Sequence, residues 1–81
     1  MKLIEAIGKR LDKLIKQKKD LTQYELAKQA GIPRSTVWKI INPDMTKVKT
    51  VKMDTVYQIA DTLGISLKEF FDDSIFDEIT D

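Results

Sequence analysis

Hydrophobic residues recur at spacings of three and four along two stretches of the chain, the pattern of amphipathic helices. The first stretch covers residues 3–18, where one face is apolar: Leu3, Ile7, Leu11, Leu14 and Ile15. Gly8 is expected to weaken this helix slightly. The second stretch is terminated by Gly64, and its apolar positions are Met53, Val56, Tyr57, Ile59, Ala60 and Leu63. The pattern therefore predicts two core-forming helices that flank a central segment.

The central segment begins with signals for a short helix. Thr22 followed by Glu25 is a capping box, in which the hydroxyl accepts from the N–H of residue 25 and the carboxylate accepts from the N–H of residue 22. A helix is therefore predicted to start at Gln23. Gly31 closes it, because glycine adopts the left-handed conformation that ends many helices.

A second short helix follows directly. Pro33 is predicted to open this helix at its first position, where a fixed φ suits the helix and no N–H is needed. Pro43 ends it, because proline moves the preceding residue, Asn42, out of the α region. Two short helices joined by a glycine-containing turn are typical of the helix-turn-helix, whose second helix enters the major groove of DNA.

The second short helix has one apolar and one polar face at 100° per residue. Its apolar stripe consists of Val37, Ile40 and Ile41. The opposite side and its flanks carry the candidate base contacts: Arg34, Ser35, Thr36, Trp38 and Lys39. Arg34 can donate bidentately to guanine, and the Thr36 methyl or Trp38 ring can contact a thymine methyl. For Trp38, a partly buried packing role is the alternative.

Lysines on both sides of this motif are candidates for contacts with DNA phosphates. The segment after Pro43 is interpreted as a loop whose lysines face one way along the DNA backbone, with an edge strand as the alternative: Lys47, Lys49 and Lys52. Lys19, in the basic run before the motif, is a further candidate. The basic residues of the first helix are interpreted as a solvated face: Lys9, Arg10, Lys13 and Lys16.

The C-terminal end combines acidic and apolar residues. Ser66 followed by Glu69 is a second capping box and predicts a short fifth helix. Residues 72–81 are interpreted as an acidic tail or an extra helical turn, which extends the core, joins a dimer interface or binds a protein partner. The predicted interface of a homodimer consists of Phe70, Phe71, Ile75, Phe76 and Ile79.

Composition narrows the classes of function. The 81 residues make one domain, without cysteine or histidine. Disulfides and thiolate metal sites are thereby excluded, and the commonest general base is missing. We therefore expect no enzyme, no cofactor and no metal site, since the acidic residues of the tail lack fixed ligand spacing. No apolar run approaches the roughly 20 residues of a membrane span, so a cytoplasmic protein is expected.

Charge is distributed unevenly along the chain. Residues 1–53 contain thirteen Lys and Arg against five acidic residues, a net charge of +8. Residues 54–81 contain one lysine against eight acidic residues, a net charge of −7. Such asymmetry is expected when one face of a protein meets a polyanion. Because the basic part contains the predicted helix-turn-helix, it favours DNA as the partner.

Residues 7–71 closely resemble the DNA-binding domain of the phage repressor, Cro and XRE family. The matching segments are Leu21-Thr22-Gln23, Glu25-Leu26-Ala27, Gly31-Ile32-Pro33-Arg34-Ser35-Thr36-Val37, Ile59-Ala60 and Leu63-Gly64-Ile65-Ser66. The resemblance implies an all-α, five-helix, lambda-repressor-like fold with the helix-turn-helix at helices 2 and 3. It also implies that Gln23 contacts phosphate and braces the third helix, that Asn42 lies near phosphate, and that three residues face base edges: Arg34, Ser35 and Lys39.

The sequence departs from the family pattern at three places. Ile15 and Ile41 stand where the family commonly has an ion pair between helices 1 and 3, and we expect these two side chains to touch. Pro43 and a longer lysine loop replace the usual glycine turn, and the link before Thr22 is one residue longer than usual. The family's phosphate contacts in the loop after helix 3 are therefore not carried over directly.

The sequence thus predicts that residues 1–71 form the DNA-binding domain of a transcriptional regulator, a repressor rather than an activator. A single small module makes few base contacts, so we expect a homodimer on a pseudo-palindromic operator of double-stranded DNA, with recognition helices about 34 Å apart. The alternative is an antitoxin or protein-interaction adaptor. In that case the acidic tail would grip a basic partner, and DNA binding would be autoregulatory.

Overall fold

The computed structural model describes residues 1–80, which contain five α-helices and no strand. The helices are α1 (Leu3–Lys16), α2 (Gln23–Ala30), α3 (Arg34–Ile41), α4 (Met53–Thr62) and α5 (Leu67–Phe70). Two short 3-10 helices, Pro43–Met45 and Ser74–Glu78, follow α3 and α5. The predicted all-α, five-helix fold is confirmed, and the edge-strand alternative for the lysine loop is wrong. Asp81, the last residue of the predicted tail, lies outside the described residues.

Side-chain caps start α2 and α5 at the predicted residues. Thr22 Oγ1 accepts a hydrogen bond of 3.1 Å from the Glu25 N–H, and Ser66 Oγ accepts one of 3.1 Å from the Glu69 N–H. Within residues 1–80, neither glutamate returns a bond to the N–H of its capping residue, so each predicted capping box is only half formed. The two glutamates still favour the helix starts, because negative charge stabilises the positive end of a helix.

Glycines end α2 and the α4 segment as predicted. Gly31 and Gly64 have φ angles of 71° and 77°, the left-handed conformation that costs glycine no Cβ clash. The prediction that Pro33 opens α3 at its first position is wrong. With φ −61° and ψ 139°, Pro33 is the extended N-cap residue before Arg34, and its carbonyl accepts from the Thr36 N–H at 3.0 Å.

The core lies between α1, α2, α3 and α4 and is closed by a side chain from α5. Its largest fully buried side chains are Phe70, Leu11, Leu26, Ile59, Val37 and Val56. Their burial provides most of the favourable free energy of folding. Because α3 packs on both α1 and α2, the core also sets which face of α3 is turned outward.

Gly8 marks the closest approach of α1 to α3. A Cβ atom at this position would overlap the carbonyl oxygen of Ile40 and lie 3.3 Å from its carbonyl carbon and 3.4 Å from the Cα of Ile41. Gly8 was expected to weaken α1 slightly. The close packing of α1 on α3 requires a glycine at this position. Nearby, Ile15 is buried and Ile41 packs against the same core, and their direct contact stays a prediction.

Arg10 anchors the C-terminal segment to α1. Its Nε donates to the carbonyl of Phe70 at 2.7 Å, its Nη2 donates to the carbonyl of Glu69 at 2.8 Å, and its Nη1 pairs with Asp73 Oδ2 at 3.2 Å. The Arg10 side chain is only 11% exposed. Lys13 Nζ reaches the same carboxylate oxygen at 2.9 Å. The interpretation of the α1 cations as a solvated face is therefore wrong for Arg10. The Lys13 side chain is 57% exposed and stays on the solvated face while it pairs with Asp73.

The described part of the tail packs against the rest of the chain. Asp73 Oδ1 accepts from the Ile75 N–H at 2.9 Å, and this bond, with the ammonium group of Lys13, holds the pKa of Asp73 below its usual value. The amino group of Met1 donates to the Glu78 carbonyl at 3.0 Å, and the Thr80 N–H donates to the Met1 carbonyl at 2.9 Å. Residues 73–80 therefore extend the fold, the first of the alternatives for the tail, and their part in a dimer interface or in binding a protein partner stays a prediction.

The predicted dimer interface needs one correction. Phe70 is 1% exposed and fills the core, so its side chain does not reach a partner. A four-residue helix is too short for its periodicity to reveal which side faces inward, so the sequence pattern did not show that Phe70 is buried. Phe71 and Phe76 are half-buried, with ring centroids 5.0 Å apart, and pack against the core. Ile75 and Ile79 are also half-buried.

Candidate nucleic-acid interface

The burial of one side of α3 leaves the opposite side open. Val37 is 0% exposed and Ile40 is 2% exposed, and both point into the core. Four of the predicted base-contacting residues lie exposed on the remaining surface, namely Arg34, Ser35, Trp38 and Lys39, and the fifth, Thr36, is half-buried on the flank. The structure thus presents a polar helix face of about two turns to a ligand.

The amino ends of α2 and α3 line an open cleft of about 630 Å³. Its walls are formed by Thr22, Gln23, Tyr24, Arg34, Ser35 and Trp38. Trp38 is 42% exposed, so part of its side chain is accessible from the cleft. Gln23 is the first residue of α2 and lies in the cleft with the first residues of α3, the placement that the family resemblance implied.

Tyr24 belongs to this site, although sequence reasoning did not identify it. The guanidinium carbon of Arg34 lies 5.4 Å from the centroid of the Tyr24 ring, the geometry of a cation–π interaction. Tyr24 is 52% exposed. The available signal was an aromatic residue on the polar side of a capped helix, one position after the candidate phosphate contact Gln23.

Free N–H groups add to the positive character of the cleft. Within residues 1–80, no acceptor is bonded to the first two N–H groups of α2, at Gln23 and Tyr24, or of α3, at Arg34 and Ser35. Unpaired N–H groups and the helix dipole make a helix start favourable for anions. Since two helix starts meet in one cleft, this surface suits a phosphate backbone.

The lysines of the loop after α3 divide between two grooves. Lys52 lines a groove beside α3, together with Thr36 and Lys39. Lys47 and Lys49 line a different groove, against the amino end of α1. All three lysines are exposed, but they do not line one common groove. That they face one way along a DNA backbone stays a prediction.

The remaining phosphate candidates have different surroundings. Asn42 Nδ2 donates to the Trp38 carbonyl at 3.0 Å, so one amide donor already caps the end of α3. Lys19 is exposed in the turn between α1 and α2 and does not line the cleft. Its neighbour Asp20 has a φ of 65°, which marks where the longer link reverses direction.

Among residues 1–80, no group of three or more acidic side chains is placed so that it could hold a metal ion. None of the helices in that range has the length and apolar character needed to cross a membrane.

The family model described as Cro/C1-type HTH DNA-binding domain matches residues 10–74, which is most of the chain and includes α2, α3 and the cleft between them. A search of curated proteins found no match.

Proposed function

The chain belongs to the Cro/C1-type helix-turn-helix DNA-binding domain family, and from this premise we propose that it is a sequence-specific repressor of transcription. It binds a pseudo-palindromic operator as a homodimer and acts in the cytoplasm. The observation that carries the proposal is the exposed polar face of α3 beside the cleft where the amino ends of α2 and α3 meet. DNA binding needs no catalytic group, and we propose no enzymatic activity.

In this proposal α3 lies in the major groove and reads base edges. Arg34 donates two hydrogen bonds to O6 and N7 of a guanine, and Ser35 bonds to a neighbouring base. The Trp38 ring and the Thr36 methyl pack against thymine methyl groups on either side of the helix. Lys39 supplies a less directional contact from the second turn, since an ammonium group lacks the fork of a guanidinium.

Contacts with phosphates fix the register of α3 in the groove. Gln23 and the free N–H groups at the start of α2 hold one phosphate, while Lys52 and Asn42 approach the backbone near the end of α3. Lys47, Lys49 and Lys19 contribute mainly through their charge. If the dimer neutralises about eight phosphates, the slope of log K against log salt is near −7.

Dimerisation supplies affinity that a single small module lacks. Two copies of α3 spaced about 34 Å apart reach successive major grooves on one face of the duplex. With Phe70 in the core, the apolar residues that remain for the interface are half-buried ones at the C-terminal end: Phe71, Ile75, Phe76 and Ile79. Occupancy of the operator blocks polymerase and thereby represses transcription.

The adaptor or antitoxin alternative receives less support. It requires an acidic tail that is free to grip a basic partner. Residues 73–80 are instead tied down by Arg10, by Lys13 and by the backbone of Met1.

Selection of binding sites from random duplexes tests the proposed function. We expect a symmetric consensus with half-sites one helical turn apart. Arg34→Ala should cost roughly 1–3 kcal/mol on that site and relax the preference at one base pair per half-site. Lys68→Ala, an exposed charge removed from α5 in the acidic half of the chain, is the matched control and should leave the consensus unchanged. Selection that yields no consensus contradicts the proposal.

A further inference from the structure

The guanidinium of Arg34 contacts the ring of Tyr24 and has no hydrogen-bond partner among residues 1–80. Its guanidinium lies over the exposed Tyr24 ring, 5.4 Å from the centroid. Within residues 1–80 it makes no hydrogen bond and no ion pair. A cation–π contact uses the flat face of the guanidinium and leaves the five in-plane N–H donors available. The guanidinium therefore contacts the ring while its directional donors stay unoccupied.

The rigid parts of the fold set the distance between these two residues. Tyr24 is the second residue of α2, whose first turn is fixed by the Thr22 cap. Arg34 is the first residue of α3 and follows the conformationally restricted Pro33. The side chains that pack α2 against α3 are at most 2% exposed: Leu26, Ala27 and Val37. The backbone positions of Tyr24 and Arg34 are thus set by the core, and their exposed side chains meet across the cleft.

We propose that Tyr24 is a positioning residue that orients Arg34 for a guanine in the operator, an inference that rests on the proposed function. A long, exposed arginine otherwise loses considerable rotamer freedom when it binds. Stacking on Tyr24 removes part of that freedom before DNA arrives. Guanine offers two acceptors, O6 and N7, that match the fork, whereas adenine offers N7 beside a donor. Tyr24 therefore sharpens the preference for guanine without touching the base itself.

The first test examines the stacking in the free protein by NMR. The Tyr24 ring current should shift the δ and ε protons of Arg34 upfield from their ordinary values. Tyr24→Phe keeps the ring and should keep most of the shift, while Tyr24→Leu should abolish it. Because residue 24 is half exposed, Leu is expected to leave the fold unchanged, which the remaining spectrum verifies. Arg34 resonances at ordinary positions in the wild type overturn the inference.

The second test uses the selected operator with 7-deazaguanine at the position where Arg34→Ala relaxes the preference. This analogue lacks N7 and keeps O6. Wild type and Tyr24→Phe should bind it about tenfold more weakly than guanine, which corresponds to one lost hydrogen bond of the pair. Tyr24→Leu should bind the 7-deazaguanine duplex only about threefold more weakly than the guanine duplex. Arg34→Ala should bind the two duplexes with equal affinity. Wild type, Tyr24→Phe and Tyr24→Leu should bind random DNA with similar affinity, and Arg34→Ala should bind it more weakly because it lacks one positive charge.

The outcomes separate this inference from the function on which it rests. If Tyr24→Leu keeps the full discrimination, the positioning role is overturned and the operator-binding function stands. The same holds if Tyr24→Phe loses discrimination as Tyr24→Leu does, because the hydroxyl and not the ring is then responsible. If the wild type prefers no duplex at all, both the inference and the proposed function fail.

Discussion

Replacement of Gly8 by alanine tests how α1 supports the recognition helix. The new Cβ would overlap the carbonyl oxygen of Ile40, a backbone atom that cannot turn aside as a flexible side chain can. Overpacking of this kind costs about 1–3 kcal/mol, and we place this site at the upper end because the obstacle is the backbone of α3. Alanine regains about 1 kcal/mol through its higher helix propensity. We therefore expect Gly8→Ala to destabilise the protein by roughly 2 kcal/mol.

Urea titration and thermal melting followed by circular dichroism measure this effect. At about 4–8 °C per kcal/mol for a domain of this size, the melting temperature should fall by roughly 8–16 °C. Lys9→Ala is the control, because the neighbouring position is exposed and its change should stay within about 0.5 kcal/mol. If Gly8→Ala is instead more stable than the wild type by about 1 kcal/mol, the gain in helix propensity alone, then α1 does not approach α3 as described.

Three further predictions concern the anchored C-terminal segment and the lysine loop. Arg10→Ala removes two charged hydrogen bonds to carbonyls of α5 and should cost about 3 kcal/mol in urea titration, and Arg10→Lys should restore less than half of it. The pKa of Asp73 is lowered in the folded state, so the carboxylate contributes its full stabilisation above pH 3.8, the ordinary pKa, and this contribution is lost as the pH falls below that value. Asp73→Asn should therefore flatten the acid-unfolding profile in that range. An unchanged profile would contradict the assignment. Lys52→Ala should weaken binding to operator and random DNA alike and make the salt slope shallower by about 1 for each protomer, whereas an effect on one sequence only would assign Lys52 a base contact.

The short helices were readable from the sequence because their end signals act within a few residues. Thr22 and Ser66 bond to N–H groups three positions later, and Gly31 and Gly64 end helices through their own φ angles. The exposed face of α3 followed from the period of its apolar residues. Such features depend on residues that are close together in the sequence, so they can be predicted without knowledge of the fold.

Features that depend on distant parts of the chain were missed or misjudged. Arg10 and Asp73 are 63 residues apart in sequence, and only the folded chain shows that the arginine anchors the C-terminal segment. Gly8 looked like a weak point of α1 because its neighbour, the carbonyl of Ile40, belongs to another helix. Phe70 looked available for a dimer because a one-turn helix does not reveal its inner side.

The candidate site shows both situations. Tyr24 becomes part of the site only through Arg34, ten residues later, because the packing of α2 on α3 brings the two side chains together. The exposed positions of Arg34, Ser35 and Lys39, in contrast, follow from the apolar stripe of α3 and were predicted from the sequence.

The most direct test of DNA binding through the α3 face uses the single tryptophan of the chain, Trp38, which lines the cleft beside Arg34. Its fluorescence quenching by acrylamide, a neutral quencher, reports how accessible this face is. Saturation with the selected operator duplex should reduce the quenching constant of Trp38, with a smaller reduction for a random duplex at the same salt concentration. Unchanged quenching at a DNA concentration that saturates binding would show that DNA binds elsewhere, and the proposed role of α3 would be wrong.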